Sequence, residues 1–246
     1  MLLTRVYDAL LTVGYPQECR VCGGSVERRS FGVACEACWK STRIFTGAET
    51  ICWKCGTLSP GIEVSPEVRR DVRCHRCDEQ VFAAARAVGR YEKAMRESVL
   101  ELKRRPNCAP FLMELIVAVA RREPLNTATR IIPVPLHEKR LRKRGFNQAS
   151  VIAAALSKHL KLPLDEVSLL RTGLSDKYRA GLDPKGRRDT VAGAFAVRQP
   201  RLVAGETVLL VDDVFTTGAT VNACAEALKA SGAGNVLVLT VARGKS

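Results

Sequence analysis

Val208-Leu209-Leu210-Val211-Asp212-Asp213-Val214-Phe215-Thr216-Thr217-Gly218-Ala219-Thr220 decides how this chain folds. Four apolar residues open the stretch, the pattern of a parallel strand buried on both faces. Two carboxylates follow where such a strand must end. A small, hydroxyl-rich turn runs from Thr216 to Thr220, and Val221, Cys224, Ala225 and Leu228 then recur at helical spacing. A turn of this kind aims backbone N–H groups and hydroxyls at a helix N-terminus, where the first N–H groups are unpaired and the dipole is positive. That makes an anion site beside two acceptor carboxylates. In open α/β sheets such sites fall at the carboxyl ends of strands. The two acids suit Mg²⁺ or a pair of sugar hydroxyls.

Working outward, apolar runs alternate with helical stripes. A strand is expected near Val88 to Tyr91. Met95, Val99 and Leu102 mark a helix that ends at Lys103-Arg104-Arg105, and Leu112, Leu115, Ile116 and Val119 mark a second. Arg130 to Val134 reads as a strand that Pro133 confines to a strand end. Lys139, Arg140, Arg142, Lys143 and Arg144 follow, then Gly145-Phe146-Asn147-Gln148. Asn147 is a good N-cap for a helix carrying Val151, Ile152, Ala155 and Leu156. Cations ahead of a helix N-terminus make a second anion site. Val167 to Leu170 and Ala194 to Val197 read as strands around a polar loop at residues 171–191, a candidate lid. Residues 235–241 are the last strand, after a helix stopped at Ser231-Gly232. The alternation predicts a parallel α/β sheet flanked by helices over residues 81–246.

The front of the chain is different. Eight of the ten cysteines form four pairs: Cys19 and Cys22, Cys35 and Cys38, Cys52 and Cys55, Cys74 and Cys77. Each Cys-x-x-Cys turn offers two thiolates, and two turns close a tetrahedral Zn²⁺ site. Four pairs predict two closed, structural zinc sites in a double zinc ribbon over residues 15–80. Sequential pairing is the simplest, and a crossed pairing stays open. Metal binding then supplies the folding energy for a segment with few large apolar groups. Residues 1–14 read as a short amphipathic helix rather than an export signal. Disulfides would need an oxidising compartment, so a cytoplasmic location is expected.

The net charge is +14, with 11 Lys/Arg against 10 Asp/Glu in residues 1–80 and 28 against 15 in residues 81–246. The basic excess lies with the phosphate turn, so anionic ligands or nucleic acid are the natural partners. No apolar run reaches the ~20 residues of a membrane span.

The stretch at residues 208–220 resembles the phosphoribosyl pyrophosphate (PRPP) loop of type I phosphoribosyltransferases at all 13 positions. That resemblance implies that Asp212 and Asp213 hold the ribose hydroxyls. It also implies that Thr216, Thr217, Gly218, Ala219 and Thr220 hold the 5′-phosphate, with Mg²⁺ accompanying PRPP. It puts a pyrophosphate loop at Arg140, Lys143, Arg144, Gly145 and Asn147. Enzymes acting on 6-oxopurines carry an Asp base where Thr216 stands, so that chemistry is disfavoured. The whole chain resembles the ComF family of competence-associated phosphoribosyltransferase-like proteins. The double ribbon, Pro133-Val134-Pro135-Leu136, Arg144-Gly145-Phe146-Asn147-Gln148 and the PRPP loop carry the match. It departs in the lid, where Arg179 and Asp189 stand in place of amides. The family implies a role in DNA uptake and natural transformation, with single-stranded DNA and DNA-uptake proteins as partners. Two functions follow: a Mg²⁺-dependent phosphoribosyltransferase that passes the phosphoribosyl group to an unidentified acceptor and releases pyrophosphate, or a non-catalytic single-stranded-DNA-binding competence factor that uses the same loops.

Overall fold

The computed structural model describes residues 15–49, 51–59, 64–65, 67–172 and 193–244. The expected helix over residues 1–14 lies outside these, as do Lys177, Tyr178, Arg179, Lys185, Arg187, Arg188 and Asp189 of the expected lid. The strands are β1 (Ala84–Arg90), β2 (Arg130–Pro133), β3 (Leu169–Arg171), β4 (Phe195–Val197), β5 (Thr207–Phe215) and β6 (Asn235–Arg243). The helices are α1 (Glu36–Lys40), α2 (Lys93–Leu102), α3 (Pro110–Ala120), α4 (Glu138–Arg144), α5 (Gln148–Leu160) and α6 (Ala219–Ala230).

β1, β6, β5 and β2 form one parallel sheet in that order. The period-2 alternation of a strand sends neighbours to opposite faces. Leu209 and Val211 accordingly join one core with Ile131, Leu237 and Leu239, under α2, α3 and α5. Val208 and Leu210 join the other with Ile132, Val236 and Val238, under α6. All four apolar residues that open the decisive stretch are fully buried, each contributing about 1.5–3 kcal/mol. α5 follows β2 on one face, and α6 follows β5 on the other. β2 and β5 are neighbours, so a crevice opens at their carboxyl ends, where ligands of open α/β sheets bind.

The cysteine-rich segment closes the β1 edge of the sheet. The N–H groups of Phe45 and Ala85 donate to Val88 and Lys54 carbonyls at 2.8 and 2.6 Å. Ile44 bridges Gly89 antiparallel. The segment also straddles the sheet. Cys19, Cys35, Cys38, Phe31 and Trp39 share the α2–α3 core, while Cys52, Cys55, Cys77 and Phe82 share the α6 core. An exposed sheet edge invites pairing with other chains, and here the ribbon covers it.

Three expectations change in detail. β1 begins at Ala84, ahead of the expected start at Val88, because its pairing with β6 already starts at Ala84 opposite Leu237. β3 and β4 pair antiparallel in a separate two-stranded sheet and pack on the α6 side through Leu169 and Phe195; they do not extend the parallel sheet. The basic segment before Asn147 is itself helical, as α4, and Gly145 ends it at φ +83°. The expected N-cap is present: Asn147 Oδ1 accepts from the Ala149 N–H at 3.1 Å, and its Nδ2 donates to the Val134 carbonyl at 2.9 Å. Asn147→Ala should cost about 1 kcal/mol, read as a lowered midpoint in urea with an unchanged m-value. A midpoint at the wild-type level would show that the cap contributes nothing.

Candidate functional site

The acidic pair lies in β5 just past the point where β2 leaves it. β2 pairs with β5 as far as Val211, and the Val134 N–H adds one bond to the Val211 carbonyl at 2.9 Å. From Asp212 onward that edge of β5 is open to the crevice. Strand alternation turns the two carboxylates to opposite faces. Asp213 is buried, at 7% exposure, and Lys103 Nζ from the end of α2 meets its Oδ2 at 3.0 Å. Gln148 Nε2, at the first turn of α5, donates to the same oxygen at 3.4 Å. Arg144, the last residue of α4, donates to Gln148 Oε1. A chain of polar contacts therefore runs from the basic segment to the acidic pair. Asp212 accepts from the Asp213 N–H at 2.8 Å. Burial, then the neighbouring Asp213 charge, holds the Asp212 carboxyl well above the usual carboxylate range. Hydroxyl donors or a cation at this point would favour its ionised form.

The turn after β5 is shorter than the expected Thr216 to Thr220, since α6 already begins at Ala219. Gly218 is the N-cap of α6 at φ +82°. A Cβ there would lie 2.8 Å from Phe215 Cζ, so both the backbone conformation and the space demand glycine. Thr216 and Thr217 are exposed, while Ala219 and Thr220 are half-buried. Thr217 Oγ1 accepts from the Ala219 N–H at 3.4 Å.

The residues predicted for the second anion site divide. Arg144 and Asn147 reach the crevice through Gln148 and Val134. Arg140 and Lys143 are exposed on α4 and make no described bond to the acidic pair. His137 is buried and caps α4, accepting from the Lys139 N–H at 3.2 Å. Sequence reasoning did not single out Lys103 or Gln148. Lys103 read as the basic end of a helix, and nothing local ties it to Asp213. Gln148 sat in the Arg-Gly-Phe-Asn-Gln run, the one signal that pointed to it.

The eight paired cysteines form two clusters in sequential order. Cys19, Cys22, Cys35 and Cys38 make one and Cys52, Cys55, Cys74 and Cys77 the other, each with all sulfurs within 4.8 Å. Sulfur separations of 3.7 Å for Cys22–Cys35 and 3.4–3.6 Å in the second cluster far exceed a disulfide bond. They approach the ~3.8 Å edge of a tetrahedron with Zn–S bonds of ~2.3 Å. Backbone N–H groups of Cys35 and Cys74 donate to Cys19 and Cys52 sulfurs, both at 3.3 Å, a cradle that favours thiolate. The donor sets fit zinc, and four sulfurs apiece leave no position for a reacting water.

The fold and these sites define a phosphoribosyltransferase-like protein with cysteine clusters at its front end. The Phosphoribosyl transferase domain family matches residues 147–246. DNA utilization protein YhgH of Shigella flexneri is 31% identical over 242 residues, covering 95% of this chain and 99% of that protein. Competence protein F of Haemophilus influenzae is 34% identical over 134 residues, covering 54% and 58% of the two chains. A solved purine phosphoribosyltransferase from Pyrococcus horikoshii superposes at TM-score 0.35 with 18% identity, over 54% of this chain and 83% of that one. The chain belongs to the ComF family. No helix among the described residues is long and apolar enough to cross a membrane.

Proposed function

We propose that this protein binds PRPP in the crevice between β2 and β5 and serves the handling of incoming DNA. The observation that carries the reading is the chain of contacts from Arg144 through Gln148 and Asp213 to Lys103. It joins a basic helix end to the acidic pair of β5, the strand that leads into the phosphate-type turn. In this reading Asp212 and Asp213 accept from the ribose hydroxyls. The N–H groups and hydroxyls at Thr216, Thr217, Gly218, Ala219 and Thr220 take the 5′-phosphate. Arg140, Lys143, Arg144, Gly145 and Asn147 face the pyrophosphate. Mg²⁺ bound with PRPP would offset the pyrophosphate charge and ease its departure. The acceptor is left open, and Thr216 offers no carboxylate base to it. Both cysteine clusters hold structural zinc. The names of the relatives, DNA utilization and competence proteins, favour a place in DNA uptake, in the cytoplasm and with DNA-uptake proteins as partners.

The test is thermal unfolding with PRPP and Mg²⁺, on wild type and on the Asp212→Asn/Asp213→Asn double variant. A ligand at 100 times its dissociation constant adds about 2.7 kcal/mol, which for a chain of this size raises Tm by about 5–10 °C. The shift should be present in wild type and absent from the variant. A wild type that shows no shift would sink the PRPP reading. The basic excess of residues 81–246 would then favour the second one, phosphate recognition on single-stranded DNA. That reading requires an affinity that falls steeply with salt.

A further inference from the structure

One wall of the turn at residues 216–220 comes from outside the α/β unit, from the segment that leaves the second cysteine cluster. Gln80 follows Cys77 by three residues, and its N–H donates to the Cys77 carbonyl at 3.1 Å. The next N–H, of Val81, donates to Asn222 Oδ1 in the first turn of α6 at 2.7 Å. Phe82 is fully buried and meets Phe215 edge-on, with ring centroids 6.1 Å apart. Arg243 lies 4.6 Å over the same Phe215 ring and donates to the Cys55 carbonyl at 2.6 Å. These anchors pin the cluster, the end of β5 and the start of α6 to one another.

Gln80 sits in the middle of them. It is 8% exposed, and its Oε1 is buried without a hydrogen-bond partner. Buried polar atoms are nearly always paired, so an unpaired one calls for a cause. The amide end lies against the turn: a Cβ on Gly218 would be 3.4 Å from Gln80 Oε1. Rotation of the amide about its last torsion exchanges Oε1 for Nε2, which turns a donor toward the loop, the polarity that an anion on the α6 N-terminus calls for.

We infer that Gln80 is a positioning residue for the anion turn, through which the second cysteine knuckle becomes part of the ligand site. The buried amide sets the geometry of the N–H groups at Gly218 and Ala219. The inference rests on the reading that this turn holds the 5′-phosphate, but half of its test does not need PRPP.

Gln80→Met keeps the length of the side chain and removes its hydrogen-bonding groups; Gln80→Glu keeps the shape and puts a negative charge against the turn. Hydrogen exchange without ligand is compared at residues 216–222 and at β6. In Gln80→Met the turn should exchange about tenfold faster while β6 is unchanged. PRPP affinity should fall about tenfold in Gln80→Met and further in Gln80→Glu, with zinc content at the wild-type level. A merely space-filling role would leave Gln80→Met indistinguishable from wild type in both readouts, and that result overturns the inference. Should wild type itself fail to bind PRPP, the PRPP reading falls. The exchange comparison then still decides the role of Gln80, and an unchanged turn overturns it.

Discussion

With zinc in the second cysteine cluster, as proposed, its removal is expected to unfold the segment around Cys52, Cys55, Cys74 and Cys77 and loosen the anion turn with it. Structural zinc contributes about 10–16 kcal/mol to small metal-dependent folds, more than most single domains have in reserve. The effect should spread, because Cys52, Cys55 and Cys77 are built into the same core as Val208, Leu210 and Val221. Arg243 of β6 would lose its anchor on Cys55, and Asn222 would lose the Val81 N–H. Cys52→Ser/Cys77→Ser, or a strong chelator, should therefore lower zinc content to about one ion per chain for the variant and abolish a single cooperative transition. Zinc release read with a colorimetric chelator alongside near-UV circular dichroism checks this. A variant that keeps its tertiary signal with one zinc would mean that the second cluster is dispensable and that the shared apolar core holds the segment.

Gly89→Ala should break the seam between ribbon and sheet. A Cβ at Gly89 would lie 2.6 Å from the Arg43 carbonyl oxygen and 3.0 Å from Met95 Cε. The first is backbone and cannot swing away. Either the Ile44–Gly89 bridge opens or β1 shifts against β6. Overpacking of this kind costs about 3 kcal/mol, or a Tm lower by about 6–12 °C for a chain of this size. Gly56→Ala has a second burden: its Cβ would lie 2.5 Å from the Ala85 carbonyl oxygen, and the residue stands at φ +71°, which adds about 1–2 kcal/mol. Opening the seam would also uncover the β1 edge, so loss of stability should come with concentration-dependent association. Thermal unfolding and light scattering at two concentrations read both effects. A Gly89→Ala protein with wild-type Tm would show that the ribbon slides freely along β1.

The sequence by itself determined what depends on neighbours along the chain. Residues 208–221 state a buried strand, an acidic pair, a turn and a helix start within one local stretch, although β5 runs on past the acids to Phe215 because β6 still pairs with it there. Each step follows from periodicity or from the needs of unpaired N–H groups. The Cys-x-x-Cys spacings state two four-sulfur clusters, because a short turn can offer two ligands to one ion wherever the rest of the chain goes. Asn147 states a helix start by its own side chain. The tertiary structure alone decided which parts face one another. Lys103 and Gln148 meet at Asp213, and Gln80 meets Gly218, across sequence separations that carry no local pattern. β3 and β4 read as further members of the sheet, yet they pair with each other, since a three-residue strand has too few hydrogen bonds to announce its partner. The ribbon read as a unit of its own, yet its two halves enter opposite cores of the sheet. The physical reason is the same in each case. Side-chain type and spacing set local conformation, while burial against distant chain is settled only when all faces compete for the same apolar surface.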